Sequence, residues 1–335
     1  MNFVVFGAGA VGSTLGGILA LKNHQVLLVC RKSHSQAIEE QNGLRMKSGT
    51  GDYFASLKSV EKLKSGSLGD DICILFTPKS NDTQTCVEQL SKVAPKDTPI
   101  VSFQNGVANE DIIAQAFTNT YGGVCKMTCS YLQPGHVTFR KIGRLVVGKY
   151  PKGTDPFPKK LSKVLNEAGF PTTVSRSIGC DKWLKLAYNL HSTLYAIIEK
   201  RDHDLPEFLD LKLGLIEEVR KVFRARKIKA KSCDAQELSL NEVIDELKRP
   251  KAPRGAPAIM VNNSTWQNLY LKRNAIENEA FHGPVIEYAR QSNIPTPFNE
   301  VVLEMVNKCH KQKQGPESLR ADDVLTAVNK RKKKQ

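Results

Sequence analysis

Three glycines near the N-terminus have the spacing of loops that bind phosphate groups. Gly7, Gly9 and Gly12 form the pattern GxGxxG directly after a short apolar segment, and Ala10 and Val11 lie between the last two. The first glycine permits the turn, the second lets the backbone approach a pyrophosphate, and the third allows close packing of helix on strand. Free N–H groups at the start of the following helix face the phosphates. In this context the pattern predicts a dinucleotide site.

The end of the second predicted strand is basic where NAD-specific sites usually carry an acid. That position is Cys30, and Arg31 and Lys32 follow it. An acid would repel a 2′-phosphate, whereas Arg31 can pair with one in bidentate fashion. The alternative is that Arg31 is an ordinary surface arginine. We favour NADP (NADPH) as the cofactor.

A second group of polar side chains has the spacing of one helix face. Lys185, Asn189 and Thr193 recur at every fourth residue among apolar neighbours, so they form a line along a predicted helix. Three polar groups beside so much apolar surface suggest a function. The alternative is that the line is the solvent face of an amphipathic helix.

The elements that position these residues begin with an alternation of strands and helices. Strands are predicted at 2–6, 25–30, 72–76 and 100–103, with helices at 13–22 and 83–93. This order predicts a parallel sheet covered on both faces. Lys79 and Asn105 follow two of the strands, at the edge where open parallel sheets bind ligands. Because they share this edge, we favour a functional role for both over a surface lysine and a turn asparagine.

The pattern then changes from strands to helices. Segments 137–139 and 144–147 are typical of added antiparallel strands, and a helix at 161–168 and a strand at 172–174 follow. Apolar residues next recur at helical spacing, which predicts helices at 182–199, 207–226, 235–247, 258–271, 275–292 and 297–310, with a proline-rich loop at 248–257. We expect an NADP-binding domain at 1–178, a helical substrate and dimerisation domain at 179–315, and a C-terminal segment with a basic tail at 316–335.

Composition excludes several classes of protein. The 335 residues are 40% hydrophobic and 25% charged, near the average for globular proteins, which argues against wholesale disorder. No stretch reaches the roughly 18 uninterrupted apolar residues of a membrane-spanning helix. The N-terminus has no signal-peptide pattern, so we expect a cytoplasmic protein. The eight cysteines lack the spacing of a disulfide scaffold or a metal site.

Much of the net charge of +15 lies at the C-terminus. Residues 330–334 carry five of these charges, which leaves +10 for the rest of the chain. Such a run is typical of a solvated, disordered tail, and we expect its removal to leave activity and stability unchanged. A localisation signal or a nucleic-acid arm is the alternative. No aromatic RNA-binding motif accompanies the run, so the basic excess favours anionic cofactors and substrates over nucleic acid.

In the order and spacing of its motifs the chain resembles the ketopantoate reductases (2-dehydropantoate 2-reductases), from residue 1 to about residue 308. The motifs are the glycine pattern with Arg31, TPKS with Lys79, QNG with Asn105, WLKLAYN with Lys185 and Asn189, and NSTWQN with Ser264, followed by Glu277. The resemblance implies reduction of a 2-oxo acid by NADPH, most specifically of ketopantoate to pantoate in pantothenate biosynthesis. It also implies an α/β fold, in which a Rossmann-type parallel sheet domain precedes an all-α domain like that of 6-phosphogluconate dehydrogenase.

The resemblance assigns roles to these residues. Hydride delivery to a ketone leaves an alkoxide, so the site needs a proton donor, and the family's donor corresponds to Lys185. Glu277 resembles the glutamate at the substrate and the cofactor ribose, with Glu279 as a competing candidate. Asn189 and Ser264 are implied as substrate-binding residues, although a serine there also suits a helix cap.

The remaining assignments include one departure from the family pattern. Lys79 and Asn105 are expected at the cofactor, and Asn105 and Thr193 at the substrate. The family usually has an asparagine where this chain has Thr193 and a proline where it has Leu194. A shorter side chain with one hydroxyl can change substrate preference, so a 2-oxo acid other than ketopantoate is an alternative.

A second hypothesis comes from a different class of protein. The chain would then be a non-catalytic NADPH-binding protein that senses cofactor and contacts a partner. Retention of both Lys185 and Glu277 disfavours this hypothesis. A helical domain of this kind often supplies a dimer surface, so a homodimer is a further expectation.

Overall fold

The chain folds into two compact units, Met1–Asp181 and Lys182–Gln335. The computed structural model describes residues 1–66, 68–69, 71–140, 142–249 and 262–334. The first unit is built on β-sheets and the second on α-helices. The prediction of a Rossmann-type α/β domain followed by a helical domain is therefore confirmed.

The first unit contains two β-sheets flanked by helices. Its strands are β1 (Asn2–Phe6), β2 (Val26–Val29), β3 (Leu44–Ser48), β4 (Gly51–Ala55), β5 (Lys58–Val60), β6 (Ile72–Phe76), β7 (Ile100–Ser102), β8 (Thr120–Lys126), β9 (Cys129–Gln133), β10 (His136–Phe139), β11 (Arg144–Lys149) and β12 (Thr172–Ser175). Its α-helices are α1 (Ala10–Leu21), α2 (Lys32–Glu40), α3 (Thr83–Leu90), α4 (Asn109–Ala114) and α5 (Pro156–Glu167).

The larger sheet has the strand order β12-β11-β8-β7-β6-β1-β2-β5. Every neighbouring pair from β8 to β5 is parallel. Val5 of β1 lies opposite Leu28 of β2 on one side and Leu75 of β6 on the other. Strand β11 pairs antiparallel with β8, and β12 pairs parallel with β11. The predicted parallel sheet and the antiparallel addition at 144–147 are both confirmed.

Alternate residues of the central strands are buried on opposite faces of the sheet, because side chains alternate along a strand. Phe3, Val5 and Leu75 belong to one apolar cluster, which also contains Leu15 of α1. Val4, Phe6, Ile74 and Phe76 belong to the other, together with Val87 of α3 and Ile113 of α4. Burial on both faces explains why these strands are continuous apolar runs.

A second sheet, which the sequence analysis did not anticipate as a unit, packs beside α1. Its strand order is β4-β3-β10-β9. The side chain of Met46, on β3, occupies the space that Gly17 of α1 leaves by lacking a Cβ. The strands of this sheet are short, and β3 alternates apolar with polar residues in its sequence LRMKS.

The second unit consists of helices. They are α6 (Ile178–Ile197), whose first turns precede this unit, α7 (Pro206–Ala225), α8 (Leu240–Lys248), α9 (Ser264–Tyr270), α10 (Asn278–Gln291), α11 (Pro297–Lys311) and α12 (Ala321–Lys332). Ser239 and Glu242 form a capping box at the start of α8, which satisfies two backbone N–H groups. Among the described helices, none is long and apolar enough to cross a membrane.

Two helix starts in the second unit differ from their predictions by five residues or more. The helix predicted from residue 235 begins at Leu240, after Ser239, because that serine accepts a hydrogen bond from the Glu242 backbone N–H. The helix predicted at 258–271 is described from Ser264, where Asn263 caps it. Residues 250–261 lie outside the described residues, and most of the predicted loop at 248–257 falls there.

The prediction that the basic run at 330–334 is a disordered tail is wrong for residues 330–332, which belong to helix α12. Helix α12 includes part of the basic run, and its Ala321, Val324 and Val328 are fully buried. Arg331 forms ion pairs with Glu300 and Glu304 of α11, at 3.0 and 2.6 Å. Helical spacing of a few apolar residues therefore orders a segment whose composition alone suggests disorder.

Candidate active site

The turn after β1 has the geometry that its glycines predict. Gly7 has a φ of +83°, and a Cβ there would lie 2.6 Å from the backbone nitrogen of Pro78. A Cβ at Gly12 would collide with the side chain of Thr77. A Cβ at Gly9, by contrast, would meet only the Gly7 carbonyl oxygen, at 4.0 Å. The space beside Gly9 is therefore open, as close approach of a pyrophosphate requires.

Helix α1 begins directly behind this space. Gly9 is its N-cap and has no side chain to accept a hydrogen bond. The first intrahelical bond runs from the Ser13 N–H to the Gly9 carbonyl oxygen at 2.8 Å. The N–H groups of Ala10, Val11 and Gly12 therefore precede the helical ladder. Such groups, with the positive end of the helix dipole, favour phosphate, so this turn fits a dinucleotide.

The turn after β6 is tied to the glycine turn. The Thr77 hydroxyl donates to the Gly7 carbonyl oxygen at 3.1 Å, and the Thr77 N–H donates to the Phe6 carbonyl oxygen at 2.8 Å. Lys79 follows, half-buried, as the N-cap of the short 3-10 turn Ser80–Asp82. The structure therefore brings Lys79 to the same edge of the sheet as the glycine turn.

The turn after β7 joins this edge through buried amides. The Ser80 hydroxyl donates to the Asn105 carbonyl oxygen at 3.0 Å, and the Asn109 amide donates to the same oxygen at 2.7 Å. Gln104, which is buried, donates to the Pro78 carbonyl oxygen at 3.1 Å. Asn105 is half-buried. These bonds hold the segments that carry Lys79 and Asn105 together.

Arg31 lies at the end of β2 on the same edge. It is exposed and is the N-cap of α2. Cys30, where an NAD-specific site would carry an acid, is buried, and burial raises the pKa of its thiol to about 12. An uncharged thiol and an exposed guanidinium leave this end of the strand cationic.

His34, which the sequence analysis did not consider, fixes the start of α2. Its Nδ1 accepts from the Gly135 N–H at 2.9 Å, and its Nε2 lies 3.0 Å from the Ser13 hydroxyl. Burial lowers the pKa of His34 to about 4, so its ring is neutral at pH 7 and Nε2 carries the proton. The imidazole therefore connects α1, α2 and the β9–β10 turn, three residues after Arg31.

In the second unit, the three polar residues on one face of α6 are partly or fully buried. Lys185 and Asn189 are half-buried, and Thr193 is fully buried. Leu186 and Leu190 beside them are also buried. The line is therefore not fully exposed, which disfavours the alternative that it is the solvent face of an amphipathic helix.

The Thr193 hydroxyl has two protein partners. The Asn278 amide donates to it at 2.8 Å, and it lies 3.0 Å from Nε2 of His282. Asn278 directly follows Glu277 and also bonds to Thr265, next to Ser264. The side chains predicted for the substrate thus belong to three segments that meet at one buried amide.

Glu277 and its competing candidate Glu279 differ in their surroundings. Glu277 is half-buried at the N-cap of α10, beside Asn278. Glu279 is exposed and accepts from the Asn307 amide on α11 at 2.9 Å. The geometry favours Glu277. Ser264 is exposed at the first residue of α9, and Asn263 rather than this serine caps the helix through the Trp266 N–H.

Within the described residues, no group of three or more histidine, cysteine, aspartate or glutamate side chains is arranged to hold a metal ion. No disulfide joins any of the eight cysteines, all of which lie in the described part of the chain. The polar groups gathered at the two sets of site residues are amides, hydroxyls, cations and one carboxylate, which suit an organic anion.

Comparison with known proteins agrees with this arrangement. The family described as "Ketopantoate reductase PanE/ApbA" matches residues 3–152, and its C-terminal counterpart matches residues 178–310. A 2-dehydropantoate 2-reductase of Pyrococcus horikoshii is 28% identical over 310 residues, which cover 91% of this chain and 96% of that protein. One from Aquifex aeolicus is 25% identical over 323 residues, which cover 91% of this chain and 96% of that protein.

Solved structures are similar over nearly the whole chain. A PanE/ApbA family ketopantoate reductase from Ralstonia eutropha has a TM-score of 0.77 and 26% identity, covering 93% of this chain and 99% of that one. A D-mandelate dehydrogenase in complex with NADH and anilino(oxo)acetate has a TM-score of 0.79 with the same coverage, but its 22% identity shows the fold alone. The chain therefore belongs to the ketopantoate reductase family and is an oxidoreductase of the class that acts on CH–OH groups.

Proposed function

We propose that this protein reduces a 2-oxo acid to a 2-hydroxy acid with NADPH, and that ketopantoate, reduced to pantoate, is its substrate. The observation that carries the proposal is the burial of three polar residues on one face of α6. Lys185 and Asn189 are half-buried, and Thr193 is fully buried. A half-buried ammonium and amide beside apolar surface suit an anionic keto acid better than they suit solvent. Family membership supports the same reaction.

The choice of NADPH over NADH rests on Arg31. Its exposed guanidinium follows the uncharged Cys30 at the end of β2, where it can pair with a 2′-phosphate in bidentate fashion. Lys32 adds a second exposed cation. The D-mandelate dehydrogenase of similar fold was solved with NADH, so the residues at this strand end, rather than the fold, support the assignment.

When bound, NADPH supplies the hydride, and the protein supplies the proton and the charge balance. Lys185 Nζ donates its proton to the oxygen that was the ketone, because an alkoxide forms there as hydride arrives at carbon. Asn189 and Ser264 donate hydrogen bonds to the substrate. Glu277 would balance the Lys185 charge and accept from the ribose of the cofactor. Lys79 and Asn105 would hold the cofactor at the edge of the sheet, and Asn105 would also donate to the substrate.

Thr193 supports a second candidate function, the reduction of a 2-oxo acid other than ketopantoate. The hydroxyl of Thr193 already accepts from Asn278 and lies beside His282, so we infer that it acts behind the substrate rather than on it. The substrate then meets one hydrogen-bonding group fewer than the family pattern offers. A less polar 2-oxo acid than ketopantoate would tolerate that loss.

Two further expectations remain proposals. Eight cysteines that form no disulfide with one another suit a reducing compartment, the cytoplasm, and fractionation of cells would test this. Dimerisation through the helical unit is proposed from the fold class. Sedimentation equilibrium would reveal it, and a monomer at micromolar concentration would exclude it.

The reaction is tested by following NADPH oxidation with a panel of 2-oxo acids, including ketopantoate, pyruvate and benzoylformate. We expect ketopantoate to have the highest kcat/KM. A higher value for another 2-oxo acid would replace the substrate but keep the reaction. NADPH binding without turnover of any member would favour the non-catalytic alternative, in which the protein senses cofactor.

A further inference from the structure

A buried amide joins the three segments that carry the proposed substrate-site residues of the second unit. Asn278 is fully buried. Its Nδ2 donates to the Thr193 hydroxyl on α6 at 2.8 Å, and its Oδ1 lies 3.4 Å from the Thr265 hydroxyl on α9. Lys185 and Asn189 precede Thr193 on α6, Ser264 precedes Thr265, and Glu277 precedes Asn278. Each of these site residues therefore lies on a segment that this junction joins.

The junction continues through a fully buried histidine. Nε2 of His282 lies 3.0 Å from the Thr193 hydroxyl, and its Nδ1 lies 3.0 Å from Oδ1 of Asn299. The Asn299 amide nitrogen donates to the Glu218 carboxylate at 2.8 Å. The chain of hydrogen bonds thus runs from Asn278 of α10 to α6, returns to α10 at His282, and continues to α11 and α7.

The direction of each hydrogen bond in this chain follows from the bond that the Asn299 amide donates to Glu218. Because the Asn299 nitrogen donates to Glu218, its oxygen must accept, and Nδ1 of His282 must carry a proton. Burial lowers the pKa of His282 to about 4, so the ring is neutral at pH 7 and Nε2 is an acceptor. The Thr193 hydroxyl therefore donates to His282, and its lone pairs accept from Asn278.

Glu218 anchors the far end of this chain. Its carboxylate also accepts from the backbone N–H groups of Phe298 and Asn299, at 2.8 and 3.0 Å. These groups belong to the first turn of α11, which lacks intrahelical acceptors for them. These backbone hydrogen bonds therefore fix the orientation of the Glu218 carboxylate.

We propose that His282 is a positioning residue of the substrate site. Its Nδ1-protonated ring orients the Thr193 hydroxyl, and through Asn278 it fixes Lys185, Ser264 and Glu277 relative to one another. This inference rests on the proposed function. It also concerns the departure from the family pattern at residue 193, because the threonine hydroxyl is the group that the imidazole contacts.

Two substitutions separate the contacts of the ring. His282→Gln places an amide near the position of Nε2, so it keeps the contact with Thr193. His282→Asn places one near Nδ1, so it keeps the contact with Asn299 and loses Thr193. Both remove an aromatic ring from the core, so their unfolding temperatures should fall by similar amounts. His203→Gln, at a half-buried histidine bonded to the Ile198 carbonyl oxygen, is the control for replacing a histidine.

We expect His282→Asn to lower kcat/KM for the preferred 2-oxo acid by about tenfold or more, as loss of a buried hydrogen bond allows, and to raise KM. His282→Gln should retain most of the parental kcat/KM, and His203→Gln all of it. The dissociation constant for NADPH should not change. A purely structural role would reduce the folded fraction, and hence kcat, without raising KM. Equal kinetics for the Asn and Gln variants would overturn the proposal.

A second measurement does not depend on turnover. Nitrogen-15 chemical shifts of labelled histidine distinguish the two neutral tautomers, and His282 is assigned by its absence from the His282→Gln spectrum. We expect Nδ1 to carry the proton, and a proton on Nε2 would contradict the proposal even in an active enzyme. A parent protein that reduces no 2-oxo acid but has the expected tautomer would overturn the proposed function and leave the hydrogen-bond chain intact.

Discussion

The Thr77 hydroxyl donates a hydrogen bond to the Gly7 carbonyl oxygen at 3.1 Å. The bond joins the turns after two adjacent parallel strands, β1 and β6. Gly12 packs against the same threonine, where a Cβ would collide. The side of the glycine turn that faces Thr77 is therefore packed against protein, while the space beside Gly9 is open.

Gly9→Ala should leave the fold intact and weaken NADPH binding. The added methyl meets little of the protein, but it occupies the space that a pyrophosphate would approach. We expect the unfolding temperature to stay near the parental value and the dissociation constant, measured by NADPH fluorescence, to rise roughly tenfold or more. Gly179→Ala, at another glycine with open space around it, is the control. Parental affinity in Gly9→Ala would remove the pyrophosphate from this turn.

Arg31→Gln should weaken binding of NADPH much more than binding of NADH. Loss of a charge-assisted hydrogen bond to the 2′-phosphate costs about 1.5–3 kcal/mol, or roughly ten- to a hundredfold in affinity. Arg31 is exposed, so stability should not change. Lys32→Gln, one residue away, should have a smaller effect, because lysine makes no bidentate contact. Equal affinities of the unmodified protein for the two cofactors would refute the assignment of Arg31.

The parts of the fold that could be predicted are those encoded by neighbouring residues. The GxGxxG pattern lies within six residues, and the spacing of Lys185, Asn189 and Thr193 lies within one helix. The hydrogen bonds that support these residues, by contrast, join positions that are far apart in the sequence. Thr193 and His282 are 89 residues apart, and His34 and Gly135 are 101 apart. A single histidine produces no periodic pattern in the sequence. Its hydrogen-bond partner depends on how distant elements pack, which the sequence pattern does not predict.

The C-terminal segment shows how composition can mislead. Its charges hide the apolar spacing of Ala321, Val324 and Val328, which is the spacing of a helix face. The second sheet was missed because its strands are only four or five residues long and β3 pairs with β10, which lies far along the chain.

Arg331→Gln should destabilise the protein slightly, in contrast to the dispensable tail expected from composition. Arg331 is partly buried and pairs with Glu300 and Glu304. Ion pairs of this exposure contribute up to about 1 kcal/mol each. We expect a decrease of about 0.5–1 kcal/mol in the free energy of unfolding by urea, reduced at high salt. Lys334→Gln, at an exposed residue beyond α12, is the control and should have no effect.

The buried His282 should make stability depend on pH. Its pKa falls from 6.5 to about 4 on folding, so the unfolded chain binds more protons between these values. Its contribution is present above pH 6.5 and is lost as pH falls toward 4, by at most about 1.4 kcal/mol per pH unit. The difference in unfolding free energy between parent and His282→Gln should therefore shrink as pH falls through this range.

The same comparison cancels the opposing effect of Glu218. Burial raises the pKa of Glu218 from 4.5 to about 7, so its contribution is present below pH 4.5 and is lost as pH rises toward 7. Both proteins retain this carboxylate. A difference that does not vary with pH would show that His282 is not held neutral by burial.

The central claim is that Lys185 donates the proton in the reduction, and its most direct test is the turnover of Lys185→Ala. General acids contribute about a hundredfold or more, so we expect kcat to fall by roughly that factor, while the glycine turn of the first unit keeps NADPH affinity at the parental value. Lys221→Ala, at an exposed lysine of α7, should retain full activity. A kcat for Lys185→Ala near that of the parent would contradict the proposed mechanism.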